Sequence, residues 1–180
     1  MILLGVDPAL RNLGMAIADY DVYEKRIMSV EKIQLVTTEK GKGKTRRNAD
    51  DFTRARVFET ALSKWAGIAD CVIAEMPTGS QSARASHCAG IVLGTLAGLR
   101  TPLIQVQPSE TKMVVGKNAE KAEIIQWAVD KYPQLPWIRT RGKISPQNEH
   151  IADAVAVLTV GVELKSFKEF LDKYIEADGF

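Results

Sequence analysis

The sequence predicts a mixed α/β protein: a five-stranded sheet, three antiparallel strands followed by two parallel ones, with helices on both faces. Three observations carry this expectation. Short apolar runs at 2–6 and 13–18 flank a turn containing Pro8 and Asn12, and a partly alternating stretch follows at 27–37. Two more short apolar runs, 71–74 and 103–106, bracket a segment of helical composition at 82–99. That order is a strand-helix-strand crossover, which joins parallel neighbours with a right-handed connection.

The elements are justified in order. The first two runs are strand-length and separated by a short turn, so they pair antiparallel, and Val30, Ile33, Leu35 and Val36 in the third suit a half-exposed strand. Residues 39–47 hold Lys40, Lys42, Lys44, Arg46 and Arg47 with Gly41 and Gly43 and no apolar side chain, which predicts a mobile basic loop. Phe52, Ala55, Phe58, Leu62 and Trp65 keep a three-or-four spacing, the mark of an amphipathic helix over 49–65, with Gly67 as its terminator. The run at 71–74 ends in Glu75 before the turn signal Pro77, Thr78, Gly79. Pro108 with Ser109, and Asn118 with Ala119, read as two successive helix starts. Residues 132–147 read as a loop, 148–164 as a closing helix and 166–175 as a tail helix.

Length and charge narrow the function classes. A chain of 180 residues with 46% hydrophobic content suits one compact domain spanning 1–180. The net charge of +2, from 24 basic and 22 acidic side chains, excludes a polybasic coat or a highly charged tail. Cys71 and Cys88 lie in apolar or small-residue surroundings without paired spacing and read as thiols of a reducing compartment. No basic leader precedes the first apolar run, and the region 88–99 is cut by Arg100 and Pro102 short of the roughly 20 residues a span requires. The expectation is a soluble, cytoplasmic protein without a membrane partner.

Asp7 closes the first strand and Glu75 the fourth. If these strands are parallel neighbours, the two carboxylates emerge about 5 Å apart at one end of the sheet. Such a pair repels unless a divalent cation lies between them, and a hard, oxygen-seeking ion such as Mg²⁺ suits it. Further along, His150 and Asp153 are three apart and share a helix face, while Glu149 and Asp153, four apart, also share one. Spacing alone leaves Glu149 as a rival to His150. The following Ala154, Val155, Ala156, Val157 and Leu158 are apolar nearly all round, which carries the first turn deep against the sheet.

Four separated stretches share the order of a family pattern: Gly5-Val6-Asp7-Pro8-Ala9-Leu10-Arg11-Asn12-Leu13-Gly14, the apolar strand ending in Glu75, Val114-Val115-Gly116 leading to Ala119-Glu120-Lys121, and His150-Ile151-Ala152-Asp153-Ala154. Together they resemble the RuvC-type Holliday junction resolvases of the RNase H-like nuclease superfamily. The resemblance implies an RNase H-like fold and a metal-binding catalytic set of Asp7, Glu75, His150 and Asp153. His at the third position occurs in some relatives, which makes Glu149 the runner-up. It also implies that Lys112 and Lys121 lie near the DNA backbone. Two Mg²⁺ ions, with Mn²⁺ as a substitute, would activate a water and stabilise the leaving oxygen. Relatives often carry an aromatic residue a few positions after the Glu that stacks on a junction base, and residues 76–79 contain none. With the basic loop, this points to a divergent member, a viral one among the readings.

The implied substrate is branched DNA, above all a four-way junction. Its two equivalent scissile phosphates call for a symmetric homodimer. Gly90, Gly94 and Gly98, spaced four apart, form a flat strip suited to that contact. Arg11, Arg84, Lys112, Lys121 and the loop cations Lys40, Lys42, Lys44, Arg46 and Arg47 are the candidate phosphate contacts. Three alternatives stand beside junction resolution: a broader branched-DNA or replication-fork debranching nuclease, a non-catalytic DNA-binding relative, and an actin-like phosphotransferase. The last requires two lobes, and Gly5-Val6-Asp7 has no later echo; the non-catalytic reading would tolerate loss of an acid, and the set is intact.

Overall fold

The computed structural model describes residues 1–39, 41, 45–77 and 82–178. Strands β1 (Ile2–Pro8), β2 (Asn12–Asp21) and β3 (Arg26–Thr37) form the antiparallel meander. Strand β4 (Cys71–Glu75) pairs parallel with β1, and β5 (Leu103–Val106) parallel with β4, so the sheet order is β3-β2-β1-β4-β5. This is the predicted sheet. The central position of β1 explains its unbroken apolar run, because both its faces are covered; β3, at an edge, alternates instead.

Helices α1 (Arg47–Ala66) and α2 (Ala83–Ala97) cover one face, where Phe58, Leu62, Trp65, Val92 and Leu96 pack with Leu4, Val6, Met15 and Val72. The opposite face of the sheet carries α4 (Lys121–Lys131), α5 (Glu149–Gly161) and α6 (Lys165–Asp178), with Leu3, Ala16, Ala18 and Ile73 meeting Ala128, Ala154, Val157, Leu158, Phe167 and Leu171. A short α3 (Pro108–Thr111) follows β5, opens with a capping box formed by Gln107 and Glu110, and continues into a 3₁₀ turn at Lys112–Val114. No helix among the described residues is long and apolar enough to cross a membrane.

Three local expectations change. The second turn of α1 buries Asp51 and Arg54 and leaves Phe52 65% exposed. Apolar spacing misreads this turn because charge pairing decides it. Arg84 at the start of α2 binds both carboxylate oxygens of Asp51, His87 Nε2 stands 3.4 Å from the same group, and Arg54 Nε donates to Asp50 Oδ2 at 3.0 Å. Helix α4 begins at Lys121, with Glu120 as its cap and Glu123 completing the box, two residues beyond Asn118. The loop at 132–147 contains a hairpin, β6 (Arg139–Thr140) with β7 (Lys143–Ile144), whose two turn residues, Arg141 and Gly142, both have positive φ as a tight primed turn requires. Lys40, Lys42, Lys44, Thr78 and Gly79 lie outside the described residues.

Candidate active site

Register brings the acids together. Val6 is paired with Ala74 across the parallel β1–β4 ladder, so the next residues, Asp7 and Glu75, leave the same end of adjacent strands, whose axes are about 4.8 Å apart. On its other side Asp7 is paired with Gly14 of β2. Gly14 is also where α5 comes down: a Cβ built there would stand 1.8 Å from the His150 carbonyl oxygen and 2.3 Å from the carbonyl carbon. Only a residue without a side chain permits that approach. The start of α5 therefore lies directly beside Asp7, and His150 Nδ1 is 2.6 Å from Asp7 Oδ2.

Asp7, Glu75, His150 and Asp153 line one open cavity of about 660 Å³, together with Lys112, Lys121, Thr111 and Glu149. Within it Thr111 Oγ1 donates to Glu75 Oε2 at 2.6 Å. Asn12 Nδ2 lies 3.3 Å from His150 Nε2; with the ring neutral and protonated at Nδ1, Nδ1 donates to Asp7 and Nε2 accepts from Asn12. Glu149 is engaged by Lys121 at the cavity rim.

The electrostatics are those of crowded carboxylates. Burial, reinforced by the charges of Asp7, Glu75 and Glu149, pushes the Asp153 carboxyl up to about 8. Burial also raises Glu75, opposed by its hydrogen bond from Thr111. The hydrogen bond to Asp7 holds the His150 imidazole above its ordinary value against the opposing effect of burial. Lys121 is raised by its bond to Glu149.

This donor set fits a hard divalent cation. Three carboxylates and an imidazole share a cavity in which burial, together with the neighbouring acids, disfavours the charged form of Asp153, and a cation would favour that form. Among the described residues, no three His, Cys, Asp or Glu side chains are arranged closely enough to hold an ion as they stand. The side chains satisfy one another instead, Asp7 with His150 and Glu75 with Thr111.

Other residues singled out from the sequence lie elsewhere. Arg11 and Arg84 line a separate cavity with Arg54, and Arg84 is tied to Asp51. Arg46 and Arg47, both exposed, stand at the start of α1. Three supporting residues escape sequence reasoning. Asn12 reads as a turn residue, and Thr111 carries no signal at all. Asn148 reads as the start of the closing helix, yet its side chain makes no capping bond; it clamps the preceding loop, accepting from Ile138 N at 2.9 Å and donating to Ile138 O at 2.8 Å and Ser145 O at 2.9 Å. That clamp fixes the start of α5, two residues before His150.

The sheet order β3-β2-β1-β4-β5, with helices on both faces, defines the fold: it is RNase H-like. Its likeness is to the RuvC-type Holliday junction resolvases, as the four motifs imply. It is 24% identical over 165 residues to the crossover junction endodeoxyribonuclease RuvC of Prochlorococcus marinus, covering 90% of this chain and 98% of the relative. Thermus thermophilus RuvC in complex with a Holliday junction substrate superposes with a TM-score of 0.60 at 16% identity, over 90% of this chain and 91% of that one. The fowlpox virus Holliday junction resolvase superposes with a TM-score of 0.56 at 17% identity, over 91% and 99%. No protein-family profile matches the chain.

Proposed function

We propose that the protein is a metal-dependent endonuclease that cleaves four-way DNA junctions by hydrolysing phosphodiester bonds. The observation that carries this reading is the convergence of Asp7, Glu75, His150 and Asp153, from three separate elements, on one cavity at the C-terminal ends of β1 and β4 in an RNase H-like sheet. The full-length likeness to RuvC supports it.

In this reading Asp7, Glu75, His150 and Asp153 hold two Mg²⁺ ions, for which Mn²⁺ substitutes. Bound there, the ions supply Lewis acidity and a water of lowered pKa for in-line attack. The chain's own residues do the rest. Without the ions, Asp7 holds the His150 ring through Nδ1 and Asn12 holds the far nitrogen; to serve as a ligand, His150 would exchange one of these two bonds for an ion. Lys112 and Lys121, both exposed at the cavity, contact backbone phosphates. Lys40, Lys42, Lys44, Arg46, Arg47, Arg11 and Arg84 extend that electrostatic footprint, Arg84 only as far as its bond to Asp51 allows.

Paired nicks require two such sites, so the acting species is a homodimer. Gly90 and Gly94 of α2 and its C-cap Gly98 line a shallow groove with Glu59 and Ser63 of α1, and a Cβ at Gly90 or Gly94 would meet nothing within 4 Å. A second copy can approach closely there. Analytical ultracentrifugation that finds only monomer at micromolar concentration removes the dimer from the proposal.

A broader branched-DNA or fork nuclease is the second reading, favoured by the lack of an aromatic residue in 76–79. One experiment addresses both: the purified protein is incubated with a mobile four-way junction, a flap and linear duplex, with and without Mg²⁺. Symmetric nicks in the junction only, abolished in Asp7→Asn while junction binding persists, are expected. Preferential cutting of the flap favours the second reading, and undiminished cleavage by Asp7→Asn refutes the metal-site assignment.

A further inference from the structure

We propose that Thr111 is a positioning residue that fixes the Glu75 carboxylate for cation binding, an inference that rests on the nuclease reading above. Thr111 is 2% exposed, on a short helix, with its hydroxyl aimed at an acid. The Oγ1 to Oε2 distance of 2.6 Å is in the range of a charge-assisted bond to a carboxylate. The competing acceptor, Gln107 O, is 3.5 Å away, so the hydroxyl proton is committed to Glu75.

The fold delivers this hydroxyl. Strand β5 pairs with β4 so that Val106 stands opposite Glu75, and Met76 N donates to Val106 O at 2.8 Å. The chain then turns at Gln107 into the capped α3, and one turn later Thr111 returns over the end of β4. Glu75 is the last residue of its strand, and among the described residues Thr111 is the one side chain that donates a hydrogen bond to it.

The bond selects one orientation of a carboxylate on a side chain with three rotatable bonds, leaving Oε1 as the oxygen available to a cation in the cavity. A valine at 111 keeps the shape and loses the donor; a serine keeps the donor.

The test compares Thr111→Val and Thr111→Ser with the parent chain in two measurements: the rise in melting temperature on adding Mn²⁺, and single-turnover cleavage of a four-way junction across a Mg²⁺ series. Thr111→Val is expected to melt near the parent temperature without metal, to bind the junction unchanged, and to require about 10–100-fold more metal for half-maximal rate and half-maximal melting shift. Thr111→Ser should restore both to within about threefold. Equal metal dependence of the valine variant and the parent overturns the inference while leaving the nuclease reading intact. A parent chain that cuts no junction refutes that reading, and the melting shift alone then decides the role of Thr111.

Discussion

Replacing Gly14 by alanine tests how the site is assembled. The added Cβ would stand 1.8 Å from the His150 carbonyl oxygen, where an ordinary carbon-oxygen contact is about 3.4 Å. The obstacle is backbone on both sides, β2 below and the first turn of α5 above, so no side chain can swing away. The helix start must retreat by about 1.6 Å. The His150–Asp7 bond, now 2.6 Å, then opens to about 4 Å and is lost. Two consequences of different size follow. Overpacking of this kind costs about 1–3 kcal/mol, and each kcal/mol lowers the melting temperature of a chain this long by about 2–4 °C. Displacement of a reacting group by 1 Å or more lowers the rate by about 100-fold. Junction binding, carried by cations spread over the surface, should change little. Thermal melting followed by circular dichroism, with single-turnover cleavage and a gel-shift titration on the same preparation, separates the three. A Gly14→Ala protein that melts like the parent and cleaves within about twofold of its rate would refute the account of how α5 seats His150.

Two further outcomes follow from the same geometry. Asp153 has its carboxyl raised to about 8, so between about pH 4 and pH 8 the folded chain holds a proton that the unfolded chain releases. Metal-free protein should therefore lose stability as pH rises through that window, Mg²⁺ should offset the loss, and Asp153→Asn should flatten the slope; a metal-free melting curve indifferent to pH there counts against a buried Asp153 carboxyl crowded by other acids. Asn148→Ala leaves Ile138 N without its partner and removes one of the two hydrogen bonds accepted by Ile138 O and by Ser145 O, a loss on the order of 2 kcal/mol, so the melting temperature should fall by about 4–8 °C. A fall of under about 2 °C would mean that the clamp contributes little.

Much of the site was legible because it rests on local signals. The apolar runs named all five strands of the main sheet, and acids at the ends of two of them, Asp7 and Glu75, stood out against those runs. Helical spacing put His150 and Asp153 on one face. What was not legible depends on partners distant in the chain. Phe52 looked like core because apolar spacing carries no information about Arg84, 33 residues beyond the Asp51 it binds, and that pairing turned α1 the other way. The hairpin at 139–144 was missed because its strands are two residues each, too short for any alternation to register.

By itself the sequence determined which residues could bear the chemistry, since strand ends, helix faces and apolar periods are properties of neighbouring residues and follow from backbone geometry. Tertiary structure alone decided which of them meet. His150 rather than Glu149 came to face Asp7 because the first turn of α5 descends on Gly14, the β2 partner of Asp7, while Lys121 from α4 engaged Glu149. Spacing along one helix leaves both residues equivalent; the choice between them is made by a backbone contact across more than a hundred residues of chain, Gly14 to His150, and by charge pairing with another helix, which no local pattern records.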